Sequence, residues 1–331
     1  MFDMSHAPEG LSLAEGESRS PAFRQKTLRA PIGCSGVGLH SGKAINMTLK
    51  PAPIGFGVAF RRTDVTDRDS LVPAHFDTVV DTRLCTCVGN AAGVTVGTIE
   101  HLMSALAGSG IDNVLVEIDG PEVPVMDGSS HPFVFLIECA GVVAQEAPRR
   151  AIKILEPVSV SEGGASARLD PADDGFSVSF EIDFPVAAIG HQTFEIDFPV
   201  TDTPAGLYRG ELAPARTFGL LEDVERLNRM GLALGGSLAN AVVIGGGKVM
   251  NEEGLRFDDE CVRHKALDAV GDLALAGAPI IGRFSGFKSG HAHTNLLLRA
   301  LFARRDAWCW VELDDYAEIR DGSWQPMAAL A

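Results

Sequence analysis

Two segments that lie far apart in the chain carry side chains able to bind a divalent metal and to activate water. Glu100 and His101 are adjacent in the first segment, and His264 and Asp268 are four residues apart in the second. His101, His264 and Asp268 together offer two imidazoles and one carboxylate, a ligand set that leaves zinc an open position for water. Glu100 is next to a ligand without being needed as one, so it could accept the proton of that water. The sequence therefore predicts a hydrolytic metalloenzyme.

The first segment has the periodicity of an amphipathic helix. Its apolar residues recur at steps of three and four, at Ile99, Leu102, Met103 and Leu106. We predict a helix over residues 98–107, with Thr98 as the N-cap and Gly108 at the end. His101 should point nearly opposite the apolar stripe, with Glu100 between. Taken alone, the segment also fits a surface Glu-His pair with an ordinary role.

The second segment predicts a longer helix, over residues 258–276, in which Gly271 is the only glycine. His264, Asp268 and Asp272 follow one another at four-residue steps and share one face of this helix. Lys265 lies beside that face. A histidine and a carboxylate one turn apart can reach the same metal, as the two histidines of a His-Glu-x-x-His helix do. The alternative for this segment alone is a solvated face with ion pairs.

A third candidate lies between glycines near the C-terminal end, where residues 287–295 predict a loop that carries His291 and His293. Either imidazole could donate a proton to a leaving group or stabilise a developing oxyanion. A His-x-His metal-binding pair is the alternative for this loop.

Composition excludes several classes of protein. The chain has 331 residues and a net charge of −16, which argues against nucleic-acid binding, because that needs a basic face. The cysteines form no Cys-x-x-Cys pair and lie in apolar settings, so we expect reduced thiols; they are Cys34, Cys85, Cys87, Cys139, Cys261 and Cys309. No apolar run is long enough to span a bilayer. We expect residues 1–21 to form a disordered acidic tail that is not a signal peptide, on a cytoplasmic protein.

Mixed helices and strands predict an α+β fold with two domains, at residues 22–147 and 148–331, joined at the polar stretch 145–150. Strands are expected near 45–49, 58–61, 84–88, 114–118, 151–154 and 176–184, and further helices near 132–139 and 222–229. The hexapeptide Glu-Ile-Asp-Phe-Pro-Val occurs at 181–186 and again at 195–200, which favours a hairpin over a solenoid. Residues 245–247 are three glycines without the G-x-G-x-x-G spacing, so they indicate a hairpin turn rather than a dinucleotide-binding loop.

Several blocks of sequence resemble the UDP-3-O-acyl-N-acetylglucosamine deacetylase family of Gram-negative bacteria. The resemblance covers residues 22–320, and its blocks lie at 36–42, 98–102, 110–113, 124–129, 215–219, 254–257, 263–265, 268–272 and 288–291. It implies two similar domains, each a small sheet layered against two helices, with the active site between them. It also implies hydrolysis of the substrate's N-acetyl group in an early committed step of lipid A biosynthesis.

The resemblance assigns roles to individual residues. It places the zinc ligands on His101, His264 and Asp268 and the general base on Glu100. It places a second catalytic histidine on His291.

Further roles follow from the same resemblance. Asp272 would orient His291, and the Thr217 hydroxyl would bind the oxyanion. The substrate-binding positions that it implies are Lys265, Phe218, His40 and Leu84, of which Lys265 offers a point charge suited to a diphosphate.

The resemblance also bears on partners and on rival functions. It implies Zn²⁺ as the cofactor and an acylated UDP-sugar as the substrate, and we expect a monomer in transient contact with a membrane surface. Residues 185–215 match the place of the family's acyl-passage insert but are locally distinctive, so the acyl length stays open. The alternatives are a zinc amidohydrolase for another acylated sugar or peptide and a non-catalytic metal-binding module.

Overall fold

The computed structural model describes residues 23–199 and 204–314 of the chain. Six α-helices lie in these two ranges: α1 Glu100–Gly108, α2 His131–Ala140, α3 Pro204–Leu207, α4 Leu221–Arg229, α5 Glu260–Leu273 and α6 His291–Ala303. A single 3₁₀ turn, Ala274–Ala276, extends α5, and a π-helical turn, Tyr208–Leu212, follows α3.

Twenty strands lie in the same ranges. Those of the first half are β1 Arg24–Leu28, β2 Ile32–Val37, β3 Ala44–Pro51, β4 Val58–Arg62, β5 Leu71–Pro73, β6 Val79–Asp81, β7 Cys87–Gly89, β8 Thr95–Val96, β9 Val114–Ile118 and β10 Val142–Pro148. Those of the second half are β11 Arg150–Ile154, β12 Val158–Glu162, β13 Ala165–Asp170, β14 Phe176–Asp183, β15 His191–Phe198, β16 Phe218–Leu220, β17 Val242–Gly245, β18 Lys248–Val249, β19 Ile280–Phe287 and β20 Trp308–Glu312.

Each half of the chain builds one main sheet that packs with two helices. The first sheet has the order β2-β3-β9-β4-β5, and α1 and α2 belong to this half. The second is a seven-stranded sheet around β19, and it contacts α5 and α6. Smaller sheets are β1-β10, β6-β7-β8 and β16-β17-β18. This arrangement confirms the predicted α+β class, with two similar layered halves.

The two halves meet where α1 packs on α5. A Cβ atom added to Gly271 of α5 would lie only 2.0 Å from the backbone oxygen of Glu100, the first residue of α1. The helices can therefore approach this closely only because residue 271 has no side chain. Leu102 of α1 and Leu267 of α5 are both fully buried, and one continuous apolar core runs through both halves.

Most of the elements predicted from periodicity are present. The first residues of the two hexapeptide copies, 181–183 and 195–198, lie in the antiparallel strands β14 and β15, with Ser179 opposite Glu195, so the hairpin is confirmed. The three glycines at 245–247 join β17 to the antiparallel β18, as expected of a hairpin turn. The cysteines named above are all free thiols.

Three local predictions are wrong. Ile99, not Thr98, caps α1, because Thr98 adopts a φ of 53° and its hydroxyl donates to Glu122. The strand expected at 84–88 begins only at Cys87. His291 and His293 lie in the first turn of α6 rather than in a loop, since Gly290 ends the glycine-flanked segment and caps the helix.

Some predictions fall where the structure cannot test them. Residues 1–21 lie outside the described ranges, as do residues 200–203 within the expected insert 185–215. The domain boundary at 147–148 stays a prediction. Among the helices of the described ranges, none combines the length and the apolar character needed to cross a bilayer.

Gly271→Ala should destabilise the protein, because the new methyl group would force α1 and α5 apart. Overpacking a well-packed interface typically costs about 1–3 kcal/mol, and we expect the free energy of unfolding, measured by denaturant titration, to fall by at least this much. Gly210→Ala is the control, since nothing lies within 4 Å of the added Cβ there. Equal stabilities of the two variants would contradict the close-contact argument.

Candidate metal and catalytic site

Three buried side chains from both halves of the chain converge where α1 meets α5. One ligand atom each from His101, His264 and Asp268 lies within 4.8 Å of the others. His101 Nε2 is 3.7 Å and His264 Nε2 is 3.3 Å from Asp268 Oδ1, and the two imidazole rings are nearly perpendicular. The structure thus brings together the three ligands predicted from the sequence.

The protonation states of these side chains suit a cation. Burial lowers the pKa of His101 to about 3 and lowers that of His264, so both imidazoles are neutral near pH 7 and offer a lone pair. Burial alone would raise the pKa of Asp268, but the pKa lies well below its usual range, and the Lys265 ammonium, which stays charged, contributes to this. The group therefore presents one ionised carboxylate and two neutral imidazoles.

The surroundings of the ligands fit a bound metal. The Nδ1 atom of His264 is 3.0 Å from the carbonyl of Ala215, so Nδ1–H donates there and Nε2 faces the centre of the group. Lys265 donates to Asp268 Oδ2 at 3.0 Å. Asp268 Oδ1 is buried without a hydrogen-bond partner, a state that is costly unless a cation binds it. The free oxygen points to a site that could hold a divalent ion.

Glu100 lies beside this group at the N-terminus of α1. Its Oε2 accepts a hydrogen bond of 3.0 Å from the backbone N–H of Thr86, and its Oε1 is 3.9 Å from His291 Nε2. Burial raises the pKa of Glu100 to about 7, with Asp268 and Asp272 contributing in the same direction. A carboxyl group with such a pKa can both take and return a proton near neutral pH.

His291 and Asp272 form an ion pair on the other side of Glu100. His291 Nδ1 is 2.8 Å from Asp272 Oδ2, and Asp272 is 3% exposed. Burial lowers the pKa of His291, but the carboxylates of Asp272 and Glu100 more than offset this and raise the pKa to about 9. At neutral pH the imidazole is therefore a cation, and its Nε2 lies 3.9 Å from Glu100 Oε1.

His293 does not take part. Its Nε2 lies 3.2 Å from the carbonyl of Glu162, and it does not belong to the metal-binding group in the described ranges. The alternative of a His-x-His pair is therefore not supported.

Some of the predicted substrate-binding residues contact the metal-binding group. The Phe218 ring is 6.4 Å from that of His264, in an edge-on arrangement. Thr217, next to it, is anchored by its backbone N–H, which donates to Gly128. Lys265 is 19% exposed and pairs with Asp268. Lys265 and Phe218 therefore border the metal-binding group, and the place of the Thr217 hydroxyl beside it stays a prediction.

For His40 and Leu84, no described contact joins the side chain to the metal-binding group. The backbone N–H of His40 donates to Glu122, and both of its ring nitrogens are buried without a partner. Leu84 is 43% exposed, in the segment between β6 and β7. Their predicted contacts with substrate remain predictions.

Two buried polar residues of the site give no signal in the sequence. Thr86 donates its backbone N–H to Glu100 and its hydroxyl to Asp272. Glu122 is 4% exposed and accepts hydrogen bonds from the backbone of His40 and from the Thr98 hydroxyl. The partners of Thr86 lie 14 and 186 positions away along the chain. Those of Glu122 lie 24 and 82 positions away. No local spacing of residues therefore indicated these contacts.

Comparison with known proteins identifies relatives along nearly the whole chain. A family model described as UDP-3-O-acyl N-acetylglycosamine deacetylase matches residues 25–303. A protein of Acidithiobacillus ferrooxidans is 52% identical over 300 residues, which cover 90% of this chain and 95% of the relative. One from Idiomarina loihiensis is 47% identical over 312 residues, 93% of this chain and 100% of the relative. Both are named UDP-3-O-acyl-N-acetylglucosamine deacetylase.

Asp268→Ala should abolish stable metal binding, because it removes the only carboxylate of the buried group in the described ranges. Metal content, measured by elemental analysis after dialysis against zinc-free buffer, should fall well below that of the unaltered protein. Asp170→Ala is the control, since it removes a carboxylate that pairs with Arg168 on β13, outside the metal-binding group. A full metal complement in Asp268→Ala would contradict the ligand assignment.

Proposed function

The chain belongs to the UDP-3-O-acyl N-acetylglycosamine deacetylase family, and from this premise we propose that it hydrolyses the N-acetyl group of UDP-3-O-acyl-N-acetylglucosamine. The products are acetate and UDP-3-O-acyl-glucosamine, and the reaction is an early step of lipid A biosynthesis. The observation that carries this proposal is the buried group His101, His264 and Asp268, with Glu100 and His291 beside it. This set of residues provides metal ligands, a base and an acid for amide hydrolysis.

Zinc is the metal that we propose for the group, because two imidazoles and one carboxylate form a common set of three catalytic zinc ligands. When bound, zinc supplies a Lewis acid that polarises the amide carbonyl and makes a water more acidic. The Nδ1–H of His264, held by the Ala215 carbonyl, fixes the tautomer that binding requires.

Glu100 is the general base of the proposed mechanism. Its Oε2 is held by the Thr86 backbone, so Oε1 is the oxygen left to accept the proton of the attacking water. The distance of 3.9 Å between Oε1 and His291 Nε2 is too long for a direct hydrogen bond. Both groups are therefore free to bind the reacting water or substrate. A pKa of about 7 suits proton transfer in both directions.

His291 and Thr217 stabilise the negative charge that develops on the carbonyl oxygen. The imidazolium of His291 stays protonated because Asp272 binds its Nδ1–H, and it can also donate to the departing amine. The Thr217 hydroxyl is proposed as a further donor to the oxyanion. Hydrogen-bond donors that are already fixed in a buried site stabilise such a charge, because they do not have to change their positions as the reaction proceeds.

Lys265 and Phe218 are proposed to bind the substrate, and we extend the same proposal to His40 and Leu84. Lys265 uses one donor on Asp268 Oδ2, which leaves two N–H groups for an anionic part of the substrate. The edge-on contact of Phe218 with His264 places an apolar ring at the border of the site. We further propose a monomer that acts in the cytoplasm, with domains at 22–147 and 148–331.

The direct test is an assay of acetate release from UDP-3-O-acyl-N-acetylglucosamine by the metal-loaded protein. Activity should be lost with a chelator and return with zinc. The same assay on an acylated sugar without the nucleotide tests the rival amidohydrolase, which predicts equal rates. No acetate release from the nucleotide substrate would overturn the proposal.

Glu100→Gln should slow turnover by about 10²–10⁴, the usual contribution of a positioned base, while the metal content stays unchanged. Glutamine keeps the shape of the side chain and can still accept from the Thr86 N–H, but it cannot take a proton. The measurements are the steady-state kcat and the bound metal, with Glu138→Gln, in an exposed ion pair with Arg209, as the control. Turnover close to that of the unaltered protein would remove Glu100 from the mechanism.

Asp272→Asn should shift the alkaline limb of the kcat profile toward neutral pH. The pKa of His291 is raised to about 9 chiefly by Asp272, so the active imidazolium persists up to about pH 9 and is lost above it. Without that carboxylate the loss should occur about 1–3 pH units lower. Asp170→Asn should leave the limb in place, and an unmoved limb in Asp272→Asn would show that His291 does not act as a cation.

A further inference from the structure

Thr86 lies immediately before β7 and is 2% exposed. Its backbone N–H donates to Glu100 Oε2 at 3.0 Å, and its hydroxyl donates to Asp272 Oδ1 at 2.5 Å. Its own carbonyl accepts from the N–H of Ile99, the cap of α1. One buried residue therefore contacts both catalytic carboxylates and the start of the helix that carries one of them.

The contacts of Thr86 close a ring of four residues. Asp272 uses Oδ1 for Thr86 and Oδ2 for His291 Nδ1. His291 Nε2 faces Glu100 Oε1 at 3.9 Å, and Glu100 Oε2 returns to the Thr86 N–H. The members come from α1, α5, α6 and the segment before β7, and hydrogen bonds form three of the four links, so Thr86 is joined directly to Glu100 and Asp272 and through Asp272 to His291.

Two buried carboxylates on different helices need fixed donors, because burial removes the water that would otherwise solvate their oxygens. A buried carboxylate oxygen without a donor is costly, and a hydrogen bond to a charged group is stronger than one between neutral groups. Thr86 supplies one donor to each carboxylate. Because its hydroxyl binds Oδ1 of Asp272, only Oδ2 is left for His291, which fixes the orientation of both side chains.

We propose that Thr86 is a positioning residue for the deacetylation, acting through Asp272 on His291 and through its backbone on Glu100. This inference rests on the proposed function and adds a residue that touches neither the substrate nor the metal. Threonine suits the position because its methyl group fills buried space while its hydroxyl donates. Valine has nearly the same shape but no hydroxyl, so exchanging the two isolates the contact with Asp272.

The first measurement is the kcat and KM of Thr86→Val and Thr86→Ser. Loss of a hydrogen bond to a charged group should lower kcat by about 10- to 100-fold, with KM and metal content unchanged. Serine retains the hydroxyl and should recover kcat to within about twofold of the unaltered protein. Thr27→Val is the matched control, because the Thr27 hydroxyl is buried and hydrogen-bonded to Asn113, outside the site. It should lower stability but not kcat.

The second measurement separates positioning from general destabilisation. If Thr86 acts through Asp272, Thr86→Val should lower kcat by no more than about twofold in a protein that already carries Asp272→Asn. A full additional loss in the double variant, an unchanged kcat in the single variant, or no recovery with serine would each overturn the proposal. If Thr86→Val does not fold, Thr86→Ala lacks the same hydroxyl, keeps the backbone donor and replaces it in both experiments.

A third measurement keeps this inference distinct from the proposed function. The proton NMR signal of His291 Nδ1–H reports its bond to Asp272 without any turnover. The signal should be the same in the unaltered and Thr86→Ser proteins and should shift or broaden in Thr86→Val, and an unchanged signal in Thr86→Val would overturn the inference. An unaltered protein that releases no acetate would count against the proposed function alone.

Discussion

The close contact of α1 with α5 is the constraint on which the site depends. The metal-binding group takes His101 from α1 and His264 and Asp268 from α5. Ligand atoms within 4.8 Å of one another require the two helix axes to approach closely, and a glycine at 271 permits that approach. Because the helices belong to different halves of the chain, neither half contains the group by itself. Forming the interface and forming the site are therefore one event.

Burial at this interface then determines the chemistry of each side chain. The imidazoles of His101 and His264 lose their tendency to bind a proton because no solvent stabilises the charge. His291 experiences the same burial but has the opposite outcome, since Asp272 binds its Nδ1–H directly. Its place in the first turn of α6 would by itself disfavour a cation, because the N-terminus of a helix carries partial positive charge. The carboxylate is thus what makes this histidine an acid while its neighbours are ligands.

The sequence predicted the parts of the site that depend on local spacing. The four-residue steps from His264 to Asp272 and the adjacency of Glu100 and His101 were enough to propose the ligands and the base. The resemblance to a known family then placed His291, although the glycines around it suggested a loop and hid the start of α6. Thr86 left no signal, because its partner Asp272 is 186 positions away. Long-range hydrogen bonds depend on how elements pack, and no periodicity within one element encodes them.

The balance of buried charge gives a physical reason for coupling metal binding to the integrity of the interface. The carboxyl groups of Glu100, Asp268 and Asp272 are buried together, and the cations that face them are His291 and Lys265. Asp268 Oδ1 is buried without a hydrogen-bond partner. An uncompensated buried charge destabilises a fold, so the cation that completes the active site also relieves the strain of assembling it. Metal binding and formation of the α1–α5 contact are therefore thermodynamically coupled, so that a change in one changes the other. This is expected when the ligands meet only in the folded protein.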